Sequence, residues 1–221
     1  MYSKRRIQHI VVDTTGAYTD LCDLGRLCKT DKSPYGDKDS GLHRHPYTGF
    51  YSMLFAPLKG KPVQFAEIGV AGGGSVIMWY NYFRNADRLC FFDRDENFLQ
   101  NIRNMRFPEE PYLGLIDVRV DGDTARALAA PGGLYDVVLD DSSHDFDDQV
   151  RIVKEAWPLI KPGGYMIVED VFRSESEKKY EDALESILDD CSLAYFAVCN
   201  HEERYSPGWN NDKILVLVKR N

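Results

Sequence analysis

Two short apolar runs, Tyr135–Leu139 and Tyr165–Val168, most constrain what this chain can fold into. Each is entered through a glycine or proline turn and left through acids, in LDDSSHDF (Leu139–Phe146) and IVEDV (Ile167–Val171). Apolar runs of that length without polar alternation are buried on both faces, as parallel strands of an α/β sheet are. Acids that follow such strands collect along one edge of the sheet, because neighbouring strands lie only about 4.8 Å apart. Asp141, Glu169 and Asp170 can then converge on one hard divalent cation, Mg²⁺ or Ca²⁺, which prefers oxygen ligands. His144 would stand over that ion as a base.

From Val63 onward the pattern alternates apolar strand, turn and amphipathic helix, the signature of a doubly wound sheet. Strands are expected near Gln64–Ile68, Arg88–Phe92, Asp117–Val120, Tyr135–Leu139, Tyr165–Val168, Ser192–Val198 and Lys213–Val218. The spacing of Val150, Val153, Trp157 and Ile160 predicts a helix over Asp147–Ile160, stopped by the Lys161–Gly164 turn, and a second is expected over Glu175–Leu188. His201–Asp212 is polar and holds Pro207 and Gly208, so the last two strands should pair as a hairpin and give an antiparallel edge strand. The expected fold class is α/β: a doubly wound, Rossmann-like, seven-stranded and mostly parallel sheet with that antiparallel edge. At 221 residues it fits one structural domain. Residues 1–60 read as an N-terminal helical and loop lid segment, with Thr30–Gly41 a mobile loop, and 61–221 as the sheet domain.

A net charge of −8 does not suit a polyanionic partner, so nucleic acid is excluded as a substrate. The start, MYSKRRIQHIVV, is basic but its apolar run is broken by Gln8, His9 and Asp13, giving neither a signal peptide nor a membrane span. A cytoplasmic protein with no membrane partner is expected. Cys22, Cys28, Cys90, Cys191 and Cys199 are odd in number and scattered, and read as reduced thiols rather than as disulfides or a zinc site. Self-association into a homo-oligomer is left open.

FAEIGVAGGGSVIMW (Phe65–Trp79) reads as strand, glycine loop and helix start, a place where a ligand can approach the backbone. A dinucleotide fingerprint would be Gly-x-Gly-x-x-Gly. Here Glu67 precedes Gly69, and a Gly72–Gly74 run follows. A carboxylate at Glu67 suits a cationic ligand better than a pyrophosphate. Gly69, Gly73 and Ser75 complete the loop, Asp93 in FFDRDE stands where ribose hydroxyls are held, and Gly122 and Asp123 in VDGDT are offered to a base. Taken alone, the loop can equally be a tight turn.

The series AEIGVAGGG, FFDRDE, VDGDT, YDVVLDDSSH and LIKPGGYMIVED resembles class I S-adenosylmethionine-dependent methyltransferases. Asp141, His144, Glu169 and Asp170, with TDK (Thr30–Lys32) and HPYTGFY (His45–Tyr51), narrow the resemblance to the metal-dependent macrocin, mycinamicin and rhamnosyl sugar O-methyltransferases. The resemblance implies S-adenosyl-L-methionine and Mg²⁺ as cofactors, Asp141, Glu169 and Asp170 as metal ligands, His144 as the base, and a sugar or glycoside as acceptor. It also implies that the His45–Tyr51 segment, Tyr47 included, closes over the cofactor. The Asp31–Arg44 stretch departs from the usual short spacing. In such chemistry a divalent ion lowers the cost of a developing alkoxide and a histidine takes its proton. Three carboxylates, one divalent ion and one sulfonium leave no net formal charge.

Blander readings stand beside these. Asp140 or Asp141 can cap the helix that begins near Phe146, His144 can be a surface residue, and Tyr47, Phe50 and Tyr51 can be a packing face. Competing functions are a catechol-type O-methyltransferase, which typically has a lysine base and an Asp-Asn pair, a hydroxylase-like or NAD-binding oxidoreductase on the same fold, and a regulatory cofactor-binding module.

Overall fold

A computed structural model of the protein describes residues 6–36 and 41–221. Its strands are β1 (Gln8–Asp13), β2 (Gln64–Ile68), β3 (Arg88–Asp93), β4 (Tyr112–Leu115), β5 (Tyr135–Asp140), β6 (Ile160–Val171), β7 (Cys191–Asn200) and β8 (Lys213–Lys219). The helices are α1 (Asp20–Leu27), α2 (Tyr47–Leu54), α3 (Gly74–Tyr82), α4 (Glu96–Arg103), α5 (Asp123–Ala129), α6 (Phe146–Ala156), α7 (Glu177–Ala183) and α8 (Glu185–Leu188).

The strands form one sheet in the order β1-β7-β8-β6-β5-β2-β3-β4. Pairings are parallel except those of β8 with β6 and β7. Alternate residues of each central strand feed opposite faces. Ala66, Ile68, Val138, Met166 and Val168 pack toward α5, α6, α7 and α8, while Phe65, Val137, Leu139 and Ile167 pack toward α1, α2, α3 and α4. The sheet is thus covered on both sides, which is why its strands read as continuous apolar runs. After β4 the chain crosses to the other side of β2 to form β5, so strand order reverses between β2 and β5. A crevice at the carboxyl ends of those two strands is where open α/β sheets take ligands.

The expected α/β class holds, with four differences of detail. Among the described residues the sheet has eight strands rather than seven, because Gln8–Asp13 pairs in parallel with β7 despite its polar interruptions. As a margin strand, β1 needs no continuous apolar run; Ile10 and Val11 remain exposed. The N-terminal segment therefore adds a sheet strand as well as helix and loop. Second, β8 pairs with β7 as the hairpin predicted, but it is inserted beside β6 and lies two strands in from the margin that β1 forms.

Third, the strand expected at Asp117–Val120 lies earlier, at β4. Gly114 there sits where a Cβ would be 2.9 Å from the Phe92 ring, so this glycine is a packing requirement inside a strand. Asp117–Val120 forms a turn instead, the Arg119 guanidinium donating back to the Asp117 carboxylate. Fourth, α6 ends at Ala156 and the helix tightens into a 3₁₀ turn over Trp157–Leu159 containing Pro158, which has no N–H to donate. Strand β6 then starts at Ile160, and the helix expected over Glu175–Leu188 is split at Leu184. The five cysteines are free thiols. No described helix is long and apolar enough to cross a membrane.

Candidate active site

Beneath the crevice, the backbone of β2 and β5 meets at van der Waals limit. The amide of Asp141 donates to the Ile68 carbonyl at 2.8 Å, and Gly69, at φ 87°, lies where a Cβ would be 2.1 Å from the Asp141 carbonyl oxygen. Only glycine fits. The Val70–Gly73 turn then enters α3, and Gly74 passes so close to the Cys28 carbonyl that a Cβ would stand 2.9 Å from it. Over this loop opens a cavity of about 910 Å³, lined by Gly69–Gly72, Gly74 and Ser75, by Asp93 and Arg94, by Ile116–Arg119, by Asp141–Ser143 and by Thr30, Asp31 and His43 from the N-terminal segment. Its size and its mixture of backbone, apolar and acidic groups suit a small-molecule cofactor.

Several predicted cofactor residues line this cavity: Gly69, Ser75 and Asp93. Asp93 is fixed by its own loop, accepting the amides of Val70 and Ala71 on one oxygen and that of Asp95 on the other. Other predicted residues lie elsewhere. Gly73 is the N-cap of α3 and packs against Ile102 and Met105. Gly122 caps α5, and Asp123 accepts the Asp117 amide and pairs with Arg126, facing a neighbouring surface cleft. Ile116, Asp117, Val118 and Arg119 stand on the cavity wall in their place. That displacement follows from the misplaced fourth strand: moving it back to Tyr112–Leu115 moves its C-terminal loop back as well. Glu67 is fully buried below the loop, accepting from Ser75 Oγ at 2.9 Å and Trp79 Nε1 at 3.3 Å. Its nearby cation is the chain's own Lys32, 3.3 Å away. Burial pushes the Glu67 carboxyl up to about 7, against the pull of that lysine.

Strands β5 and β6 deliver the acids side by side. One ligand atom each from Asp141, His144 and Asp170 lies within 4.8 Å of the others. His144 Nε2 is 3.6 Å from Asp170 Oδ2, while its Nδ1 is buried with no hydrogen-bond partner. Both residues hold the left-handed region, at φ 58° for His144 and 56° for Asp170. Such non-glycine backbone costs about 1–3 kcal/mol per residue and persists where the surroundings impose it, as at functional sites. Neither Asp140 nor Asp141 caps α6. That role belongs to Asp145, which accepts the amides of Asp147 and Asp148. Asp140 is buried beneath Ser142, which donates to it at 2.6 Å, and burial pushes its carboxyl up to about 7.

Glu169 is held on both oxygens by the chain's own side chains. Its Oε1 accepts from the Tyr51 hydroxyl and its Oε2 from Lys32 Nζ, both at 2.6 Å. Lys32 also donates to Asp141 Oδ2. Burial raises the Glu169 carboxyl well above its ordinary value, Lys32 opposing and Asp141 and Asp170 adding to the rise. For Lys32 burial alone would lower the ammonium, but Asp141, Glu169, Glu67 and Asp31 outweigh it and hold it charged. Tyr47, expected over the cofactor, instead donates to Asp170 Oδ1 at 2.5 Å and to the Asn211 carbonyl at 3.0 Å. Tyr51 and Tyr47 therefore each serve one acid of the pair.

Sequence reasoning passed over Lys32 and His45 as individual residues, although TDK and HPYTGFY contain them. The Thr30–Gly41 stretch, expected to be mobile, is in its first part buried at Thr30, Lys32 and Ser33; residues 37–40 lie outside the described residues. His45 stacks on Tyr47 at 4.9 Å, shares a 2.9 Å hydrogen bond through Nδ1 with Asp212 and approaches Asp170 Oδ2 at 3.6 Å through Nε2. A polar composition hid these residues, since charged side chains are rarely buried unless paired and their partners lie far along the chain.

Residues 66–171 match the sequence profile of a Methyltransferase domain family. Among curated proteins, the chain is 32% identical over 154 residues to an 8-demethyl-8-alpha-L-rhamnosyl tetracenomycin-C 2'-O-methyltransferase of Streptomyces olivaceus, covering 66% of this chain and 37% of that protein. It is 29% identical over 136 residues to a demethylmacrocin O-methyltransferase of Streptomyces fradiae, covering 58% of this chain and 32% of that protein. The chain thus spans about a third of the length of these curated relatives. Among solved structures, the MycE methyltransferase of the mycinamycin biosynthetic pathway, in complex with Mg and SAH, superposes with a TM-score of 0.63 at 19% identity, over 92% of this chain and 55% of that one. A shared central sequence, the strand order with its reversal beside a glycine loop, and this structural likeness lead to one assignment: residues 66–171 carry a Methyltransferase domain, and the chain has the class I methyltransferase fold.

Proposed function

We propose that the protein is an S-adenosylmethionine-dependent, divalent-metal-dependent O-methyltransferase acting on a hydroxyl of a sugar or glycoside. The observation that carries this reading is the placement of Asp141 and Ser142 on the wall of the glycine-loop cavity, with His144 and Asp170 beside them. Cofactor cavity and acid-histidine cluster share one wall, as transfer from one to the other requires. The curated relatives named above are sugar O-methyltransferases by their descriptions, which supports the acceptor class.

The donor set fits a hard ion: Asp141 and Asp170 contribute carboxylate oxygens at the ends of adjacent strands, and Glu169 stands behind them. Asp93 would accept from ribose hydroxyls, Gly69 would let the backbone approach, and Ile116–Arg119 would flank the base. When bound, S-adenosylmethionine supplies an electrophilic methyl group and the divalent ion lowers the cost of a developing negative charge on oxygen. His144 Nε2 would take the acceptor hydroxyl proton, and positioning of that oxygen by the cluster would supply much of the rate. Glu67, paired with Lys32, was missing from the sequence-level charge balance; the pair adds one charge of each sign and leaves the balance at zero.

The test is an acceptor screen with methyl-labelled S-adenosylmethionine, using glycosides and catechols, with Mg²⁺ and with a chelator. Label transfer to a sugar hydroxyl that ceases on chelation is expected. Transfer to catechols with every glycoside inert would give the acceptor to the catechol class, and full activity under exhaustive chelation would remove the metal.

A further inference from the structure

Lys32 is 1% exposed, and it stands among the buried Glu67 and Glu169 and the partly exposed Asp141. Its ammonium meets three carboxylates, donating to Asp141 and to Glu169 at 2.6 Å and lying 3.3 Å from Glu67. Two of the ammonium's three N–H donors are thus committed to Asp141 and Glu169, and Glu67 adds a third negative charge at ion-pair distance. The backbone is equally committed: the Lys32 carbonyl accepts the amides of Tyr47 and Thr48, both at 3.1 Å, and so caps the start of α2. The same short segment thus fixes the helix that carries Tyr47 and Tyr51 and the acids those tyrosines touch.

Asp141 belongs to two groupings at once. Its Oδ2 accepts from Lys32, and it is a member of the Asp141–His144–Asp170 cluster. Glu169 likewise joins Lys32 while adjacent in sequence to Asp170. Four carboxylates in so small a space repel strongly without a cation, and removing the charge partner of a buried ion is strongly destabilising. Lys32 supplies one positive charge to Glu67, Asp141 and Glu169.

We propose that Lys32 is the resident cation of the acid cluster: it keeps Asp141 and Glu169 in place in the metal-free chain, and a divalent ion competes with it for these two carboxylates. The inference rests on the divalent-metal reading above. Two cations that share Asp141 repel each other, so the lysine weakens the ion's hold while preserving the shape of its site. Metal affinity is then set by Lys32 as well as by the ligands.

The experiment measures Mn²⁺ binding by electron paramagnetic resonance, and melting temperature in chelator and in Mn²⁺, without acceptor or S-adenosylmethionine, for the wild type and Lys32→Met. Lys32→Met should bind Mn²⁺ at least about 10- to 100-fold more tightly, the scale of one unit charge a few ångströms from a divalent ion even at a water-like dielectric constant of about 80. It should also melt lower than wild type in chelator and recover most of that deficit in Mn²⁺. Folding of Lys32→Met only when Mn²⁺ is present would support the proposal. Equal or weaker Mn²⁺ binding, or a melting deficit that Mn²⁺ leaves unchanged, would overturn it and make Lys32 an ordinary structural ion pair. Should Lys32→Met be insoluble in both conditions, Lys32→Gln is read by the same criteria. Absence of Mn²⁺ binding in both proteins would instead sink the divalent-metal reading itself.

Discussion

His144 combines a left-handed backbone with a buried Nδ1 that no group satisfies, so its position is stabilised by its surroundings and not by its own conformation. Glycine adopts that conformation without the Cβ penalty, though it loses more chain entropy on folding. His144→Gly should therefore fold within about 1 kcal/mol of wild type. If His144 is the general base, the same variant should lower kcat by about 10²- to 10⁴-fold with S-adenosylmethionine affinity unchanged. Thermal melting, calorimetric titration and turnover separate the two effects, and an undiminished kcat would remove His144 from the proton transfer. Gly69 is the opposite case. Gly69→Ala forces a Cβ against the Asp141 carbonyl at a φ of 87°, where two strands have no freedom to part. Strain of about 1–3 kcal/mol from conformation alone, added to that clash, should lower the melting temperature and abolish cofactor binding together.

At the scale of elements, the loop between β7 and β8 is tied to the site by charge. Asp212 is fully buried and accepts from His45, Arg204 and Ser206. Burial would raise its carboxyl, but His45 and Arg204 outweigh it and hold the group below the ordinary aspartate value. A carboxylate depressed in the folded state contributes stability above its unfolded pKa and loses it as pH falls through the folded one. Amide exchange in residues 201–212 should therefore be slow at neutral pH and accelerate from about pH 4 downward, whereas Asp212→Asn should exchange faster already at neutrality. A loop whose protection in the wild type is constant down to the acid unfolding transition would show that Asp212 does not hold it. These elements also mark where sequence was informative. Strands β2, β3, β5 and β6 and the acids at their ends were legible because strands buried on both faces are written as unbroken apolar runs. Strand β1 was hidden because a margin strand tolerates polar residues, and β4 because Gly114 reads as a breaker while serving the Phe92 contact. The Lys32 and His45 contacts were hidden for another reason: their partners lie over a hundred positions away, and local pattern carries no record of such pairings.

For the whole molecule, the cofactor cavity and the acid cluster meet at Asp141 but are lined by different residues otherwise, so the contributions of the two ligands can be tested apart. Ligands that bind only the folded chain stabilise it by about 2.7 kcal/mol at a hundredfold excess over Kd. For a domain of this size that corresponds to a rise in melting temperature of about 5–11 °C. S-adenosylhomocysteine and Mg²⁺ should each raise the melting temperature, and NAD should not, because the Glu67–Gly74 loop lacks the dinucleotide glycine spacing. Asp93 lies on the cavity wall away from the acid cluster, so Asp93→Ala should reduce the S-adenosylhomocysteine shift and leave the Mg²⁺ shift intact. Asp141→Asn should lose the Mg²⁺ shift and keep most of the S-adenosylhomocysteine shift, since it removes a charge at the junction of cavity and cluster while leaving Gly69 and Asp93 untouched. Loss of both shifts in either variant would mean that the two sites are formed as one cooperative unit. A shift with NAD and none with S-adenosylhomocysteine would take the cavity away from the sulfonium cofactor and return the chain to the oxidoreductase alternative.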